Sequence, residues 1–271
     1  MLESGEADTS RNAEPRSHAR GRGGSGVYEL KLGPSLMSVN PFPLNSTILD
    51  ALEVSLSPER MATYSVAAGN DREKALHLYT WNTAVSAAFY GPLQGLEVAL
   101  RNAMHRELAK VYGPDWYDHP KCQLDAGSCE RVETAKRDLA RDGYPVDPPH
   151  VVAALAFGFW VSLLGRGGRL PGLGSPRANY DMTLWRPALF RAFSHVRKSR
   201  ADIHRPLDYL RTLRNRIAHH EPIFGRHLSA DYASIIEVAG WICPNTRDWI
   251  DHHSRVLDII NLPKDTDTLR F

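Results

Sequence analysis

The chain is expected to be all-α, a bundle of long antiparallel helices with extra helices attached. Three observations predict this. Apolar residues recur at spacings of three and four through most of the chain after residue 45, and no segment sustains strict apolar–polar alternation. Helix start and stop residues bracket these segments. No glycine-rich phosphate loop and no internal repeat interrupts them. With 271 residues and 42% hydrophobic content, one sizeable core is expected. The expected organisation is a flexible, disordered tail over 1–40, a single helical domain over 41–263 and a short C-terminal tail over 264–271.

The first 36 residues are polar, and Arg20-Gly21-Arg22-Gly23-Gly24-Ser25-Gly26 cannot bury a core. Its arginines are able to touch nucleic acid, though a plain unstructured tail is the simpler reading. Met37 stands just before the first periodic segment and is a candidate alternative start. There is no apolar run that would serve as a secretory signal.

Asn45 to Leu56 reads as a short amphipathic helix. Ser57-Pro58-Glu59 offers a capping hydroxyl, a proline at the first helical position and an acid in the first turn, and that helix should end at Gly69-Asn70. A long helix from Asp71 to about Tyr90 turns Leu76, Leu78, Trp81, Val85 and Ala88 inward. Gly91-Pro92 is expected to break or kink the chain. The next helix carries Leu93, Leu96, Val98, Leu100, Met104, Leu108 and Val111 and stops at Gly113. On it Glu97 and Arg101 are four residues apart and able to pair, with His105 extending their face.

Trp116 and Tyr117 fall in an aromatic loop. Ser128 is the candidate cap of a charged helix running through Arg141 to Gly143. Asp147-Pro148-Pro149 opens a helix over 150–164. Its apolar run, Val151 to Leu164, is shorter than the ~20 residues a bilayer span needs and contains Gly158 and Ser162. It reads as a buried helix, and no membrane partner is expected. Gly165 to Asn179 should be a mobile loop; Arg166, Arg169 and Arg177 in it either face solvent or help hold RNA. Asp181 to Val196 reads as an amphipathic helix with Leu184, Trp185, Leu189 and Phe193 inward. Asp202 is the candidate cap of the next helix. Leu228 to Ile242 and Asn245 to Ile260 close the fold.

The chemistry concentrates in Tyr209-Leu210-Arg211-Thr212-Leu213-Arg214-Asn215-Arg216-Ile217-Ala218-His219-His220-Glu221-Pro222. Leu210, Leu213 and Ile217 form the buried stripe of a helix that Pro222 cannot continue. Both histidines are therefore expected in its last turn, where the carbonyl end of the helix favours a protonated imidazole. Asn215 shares a face with His219, and Arg216 with His220; Arg214 and His219 are roughly 140° apart around a regular helix. Permanent positive charge beside a group titrating near neutrality suits phosphate chemistry. An ordinary solvated helix end is the competing reading.

Arg214-Asn215-Arg216-Ile217-Ala218-His219 reads R-N-x-x-x-H and resembles the arginine–histidine signature of the HEPN superfamily. Together with Ala218-His219-His220-Glu221-Pro222, Glu97-Val98-Ala99-Leu100-Arg101-Asn102, Leu78-Tyr79-Thr80-Trp81-Asn82 and Phe157-Gly158-Phe159-Trp160, it is similar to the Abi-like (abortive infection) branch, over roughly residues 45–260. The tail before Met37 departs from that pattern. The resemblance implies a homodimer in which two such motifs face one cleft. It implies metal-independent cleavage of RNA without a cofactor, and a phage-defence or toxin–antitoxin role with a possible antitoxin partner. Arg214, Asn215 and His219 would be catalytic. His220, Arg216, Glu97, Arg101 and Asn102 would support them or bind substrate, with Glu97 orienting an arginine across the site rather than forming a surface pair with Arg101.

Net charge is +2, so phosphate binding must rest on a local patch. Cys122, Cys129 and Cys243 are odd in number and lack metal spacing, and read as reduced thiols of a cytoplasmic protein. Nothing places one of them beside a histidine as a nucleophile. The alternatives are a non-catalytic RNA- or partner-binding module and, more remotely, a metal-dependent hydrolase using His204, His219, His220, His252 or His253 with Asp251. No H-E-x-x-H pattern supports the latter.

Overall fold

The computed structural model describes residues 42–267 and 269–271; the expected N-terminal tail and the reading of Met37 lie outside them. The described residues contain ten α-helices, several short 3-10 or π turns and no strand. The all-α expectation stands.

Asn45 caps α1 (Ser46–Leu56), its side chain accepting the Ile48 N–H at 3.0 Å. Ser57 caps α2 (Pro58–Ala67) through Arg60 N–H. Asp71 then caps α3 (Arg72–Tyr112), a single helix of 41 residues, roughly 60 Å long at the usual rise. Here the expected break at Gly91-Pro92 does not occur. Pro92 lacks a donor, but it is buried on the same face as Ala88, Phe89, Leu93 and Leu96, and their packing carries the helix past the lost hydrogen bond. Leu76 is only partly covered, and Val98 and Val111 are exposed.

Two other long helices expected from the sequence are divided. The apolar run after Asp147 forms α5 (Pro148–Ala154) and α6 (Phe157–Ser162), with extended backbone at Leu155 and Ala156. The free Phe157 N–H at the start of α6 is taken by the Glu97 carboxylate of α3 at 2.9 Å, while Trp160 Nε1 donates to the Leu155 carbonyl. A side chain from another helix thus satisfies the orphan donor. Asp181 to Val196 becomes a π turn over Asp181–Trp185 and a 3-10 turn over Leu189–Phe193, with Pro187 between them. The 165–179 segment is held by an antiparallel bridge between Arg169 and Arg177 and by Gly168 N–H, which donates to Asp125 at 2.6 Å.

Asp125, not Ser128, caps α4 (Ala126–Arg141), and Ser199, not Asp202, caps α7 (Arg200–Ala218). The fold closes with α8 (Leu228–Ile242), α9 (Pro244–His252) and α10 (Val256–Ile260), so the second closing helix is also divided. The main core gathers one face of α3 with Leu207, Leu210 and Leu213 of α7, Ile235 and Val238 of α8, and Phe157, Phe159 and Trp160. A smaller cluster of Met61, Tyr64, Ala75 and Leu78 fastens α2 to the start of α3. No helix among the described residues is long and apolar enough to cross a membrane.

Candidate functional site

Helix α7 buries Ile203, Leu207, Leu210 and Leu213, and this stripe fixes which polar residues face outward. Two concavities flank it. The first, about 790 Å³, lies between α4, residues 154–167 and the outward face of α7. The second, about 890 Å³, lies between α3 and the end of α7, with Tyr90, Leu93 and Val98 on its α3 wall. Arg214 lines both, and Asn215 lines the first.

Arg214 faces Glu97 across the helix pair, Nε to Oε2 at 3.7 Å, with both side chains partly exposed. The other Glu97 oxygen accepts the Phe157 N–H. Glu97 does not pair with Arg101. Arg101 turns to the Asn102 side-chain oxygen and the Ala153 carbonyl, at 3.3 and 3.4 Å, and lines the second cleft. Asn102 is exposed and lines a third depression, beside Trp249.

The histidines lie beyond the helix rather than in its last turn. His219 is the C-cap residue and His220 adopts a left-handed backbone at φ +56°. His220 N–H donates to the Ile217 carbonyl at 3.0 Å and Glu221 N–H to the Arg216 carbonyl at 2.8 Å. This is the Schellman closure, which normally uses glycine at the left-handed position. Arg216 therefore turns back toward Glu221 instead of sharing a face with His220. The Nε–Oε2 separation is 3.3 Å, but the N–H has no acceptor in line, so the contact is one of charge.

Two distant residues hold this turn. Arg60 Nη1 donates to the His220 carbonyl at 2.6 Å. Asn82, 5% exposed, accepts the Ile223 and Phe224 N–H groups at 2.7 and 3.1 Å. His220 lines the second cleft with Arg214. His219 is exposed, lines neither cleft, and has no side-chain partner among the described residues. One chain thus brings together Arg214, Glu97, Arg101 and His220, while His219 stands apart from them.

The first cleft also contains a histidine that the R-N-x-x-x-H pattern does not reach. His204 is half-buried in it, beside Arg166 and Arg211. Burial, joined by Arg200 and Arg211 and opposed by Asp208, holds its imidazole below the ordinary histidine value. The signal was present in the sequence: His204, Asp208, Arg211 and Asn215 recur at helical spacing on one face.

Cys122, Cys129 and Cys243 are unpaired; burial pushes the Cys122 thiol up to about 12. Among the described residues no three His, Cys, Asp or Glu side chains converge on one point, and His252 stacks edge-on against His253. Comparisons with family models, with curated proteins and with solved structures returned no match.

Proposed function

We propose that this chain is a metal-independent endoribonuclease of the HEPN type, acting as a pair of identical chains. The reading extends to an Abi-like role in the cytoplasm, in phage defence or toxin–antitoxin pairing, where an antitoxin would be a further partner. The observation that carries it is the meeting of Arg214 and Glu97 at the junction of two clefts, beside a turn that presents two histidines. The resemblance in sequence asks for that meeting of helices.

In the reaction, a base removes the proton from a ribose 2′-hydroxyl, whose oxygen attacks the adjacent phosphorus. An acid protonates the departing 5′-oxygen, leaving a 2′,3′-cyclic phosphate and a 5′-hydroxyl. Arg214 would hold the phosphate oxygens through its planar fork, and Asn215 would orient phosphate or imidazole. His219 of each chain would act as base or acid. Because His219 lines neither cleft of its own chain, a second copy seated on the α3–α7 groove is required to complete the set. Exposed Tyr90 and Val98 give that groove an apolar wall.

The test is incubation of the purified protein with single-stranded RNA and excess EDTA, with sedimentation to give the oligomeric state. Cleavage by a dimer is expected, with losses of roughly 10²–10³-fold in Arg214→Ala and in His219→Ala. Cleavage unchanged in both variants overturns the assignment. RNA binding without cleavage by the parent would leave a non-catalytic binding module.

A further inference from the structure

Of the two clefts beside α7, the first holds charge that the reaction above does not use. Arg166 has no hydrogen-bond acceptor or acid among the described residues. Arg131 spans the cleft from α4 and meets only the Ser162 hydroxyl, at 3.1 Å. The acids nearby are mostly engaged. Asp208 pairs with Arg211 at 2.8 Å, and Asp138 pairs with Arg141 at 2.7 Å. Asp125 accepts the Ser128 and Gly168 N–H groups. Burial works to raise Asp125, but those two donors hold it below the usual carboxylate range. Glu130 is the exception, an exposed acid on the rim without a partner among the described residues.

A smaller depression of about 530 Å³ shares Arg166, His204 and Asp208 with this cleft and adds Arg205 and Tyr209. Tyr209 is 64% exposed, a large aromatic side chain at the surface beside cations. The two concavities follow α7 for the fifteen residues from Arg200 to Arg214, roughly 21 Å of helix. Partly free guanidinium groups along a channel, with an aromatic platform beside it, are the elements by which proteins hold a single strand without reading its sequence.

We propose that this groove binds single-stranded RNA and leads it to Arg214. Arg131 and Arg166 would meet backbone phosphates, Tyr209 would stack under a base, and His204 would donate to a phosphate or base edge midway. The direction of the strand, toward Arg214 and Asn215, rests on the ribonuclease reading. The binding itself does not, and the experiment separates the two.

Fluorescence anisotropy with a labelled twelve-nucleotide oligouridine RNA would be measured on the full chain and four variants, with circular dichroism to verify folding. Tyr209→Ala is expected to weaken binding at least about fivefold. Loss of two phosphate contacts in the Arg131→Ala/Arg166→Ala double variant is expected to weaken it at least tenfold and to reduce the slope of log affinity against log salt by roughly 1.4. Glu130→Gln should bind more tightly, and Asp50→Asn, an exposed acid on α1 that lines neither concavity, should bind as the parent does. Parental affinity and salt slope in the double variant would overturn the groove, as would a parent chain that does not bind this RNA. Binding lost in the groove variants, with no cleavage by the parent under any condition, would uphold the groove and remove the nuclease.

Discussion

Helix α7 carries one histidine near its start and leads into two more just past its end, and their surroundings are opposite. His204 sits half-buried in a cleft between arginines, its imidazole held toward the neutral form by desolvation. His219 and His220 are exposed on a turn whose backbone, not whose rings, is gripped by Arg60 and Asn82. The cleft governs the chemistry of a side chain, whereas the turn governs only the path of the chain. Concavity and motif therefore mark different parts of one helix. Arg214 belongs to both, because it lies where the cleft ends and the turn begins.

The sharpest way to break this comparison is to release the turn. Asn82→Ala strips one buried and one part-buried N–H group of their acceptor and is expected to cost about 3 kcal/mol in urea unfolding. A cost under about 1 kcal/mol would mean that the turn is held by something other than Asn82. A smaller effect should separate out the half-buried imidazoles. Burial holds His204 below the ordinary histidine value, about 6.5, in the folded chain, and does the same to His105. As pH falls through 6.5 the unfolded chain takes up protons first, so stability is expected to fall from neutral pH and to level off below the folded values. His204→Gln should flatten that dependence in unfolding curves taken between pH 7.5 and 5; an unchanged slope would remove His204 from its cause. The smallest effect concerns the left-handed residue. His220→Gly is expected to stabilise the fold by roughly 0.5–1 kcal/mol, because glycine adopts that backbone without strain. A destabilisation would mean that the His220 ring contributes packing.

Much of the fold was legible where one local cause decides the outcome. The caps at Asn45, Ser57, Asp71 and Asp147 each precede a helix at the expected place. The two missed caps share a reason. In Asp125-Ala126-Gly127-Ser128 and Ser199-Arg200-Ala201-Asp202, polar residues three apart are both able to cap, and in each the upstream one does so while the downstream one supplies the N–H. The errors at Pro92 and at Leu155–Ala156 were tertiary. One helix is carried through a proline by its buried face, and another is divided where Glu97 accepts the Phe157 N–H. Residues sixty apart in the chain give no local signal of that bond.

For the candidate site, the helical spacing of α7 placed Arg214 and Asn215 on its outward side. Pro222 has to end the helix, which places the histidines in its last turn, but a Schellman closure with histidine at the left-handed position carries no local signal. The glycine- and proline-rich composition around Arg166 points to a mobile loop. The bridge between Arg169 and Arg177, which anchors that segment, depends on partners eight residues apart and on Asp125.

Glu97 serves two unlike neighbours with its two oxygens, an amide N–H on one side and a guanidinium on the other. Replacing it by glutamine would keep a carbonyl oxygen for Phe157 while turning an amide toward Arg214, so the seam between α5 and α6 would survive as the arginine lost its counter-ion. Exchanging one atom would therefore tell the carpentry of this protein from its electrostatics.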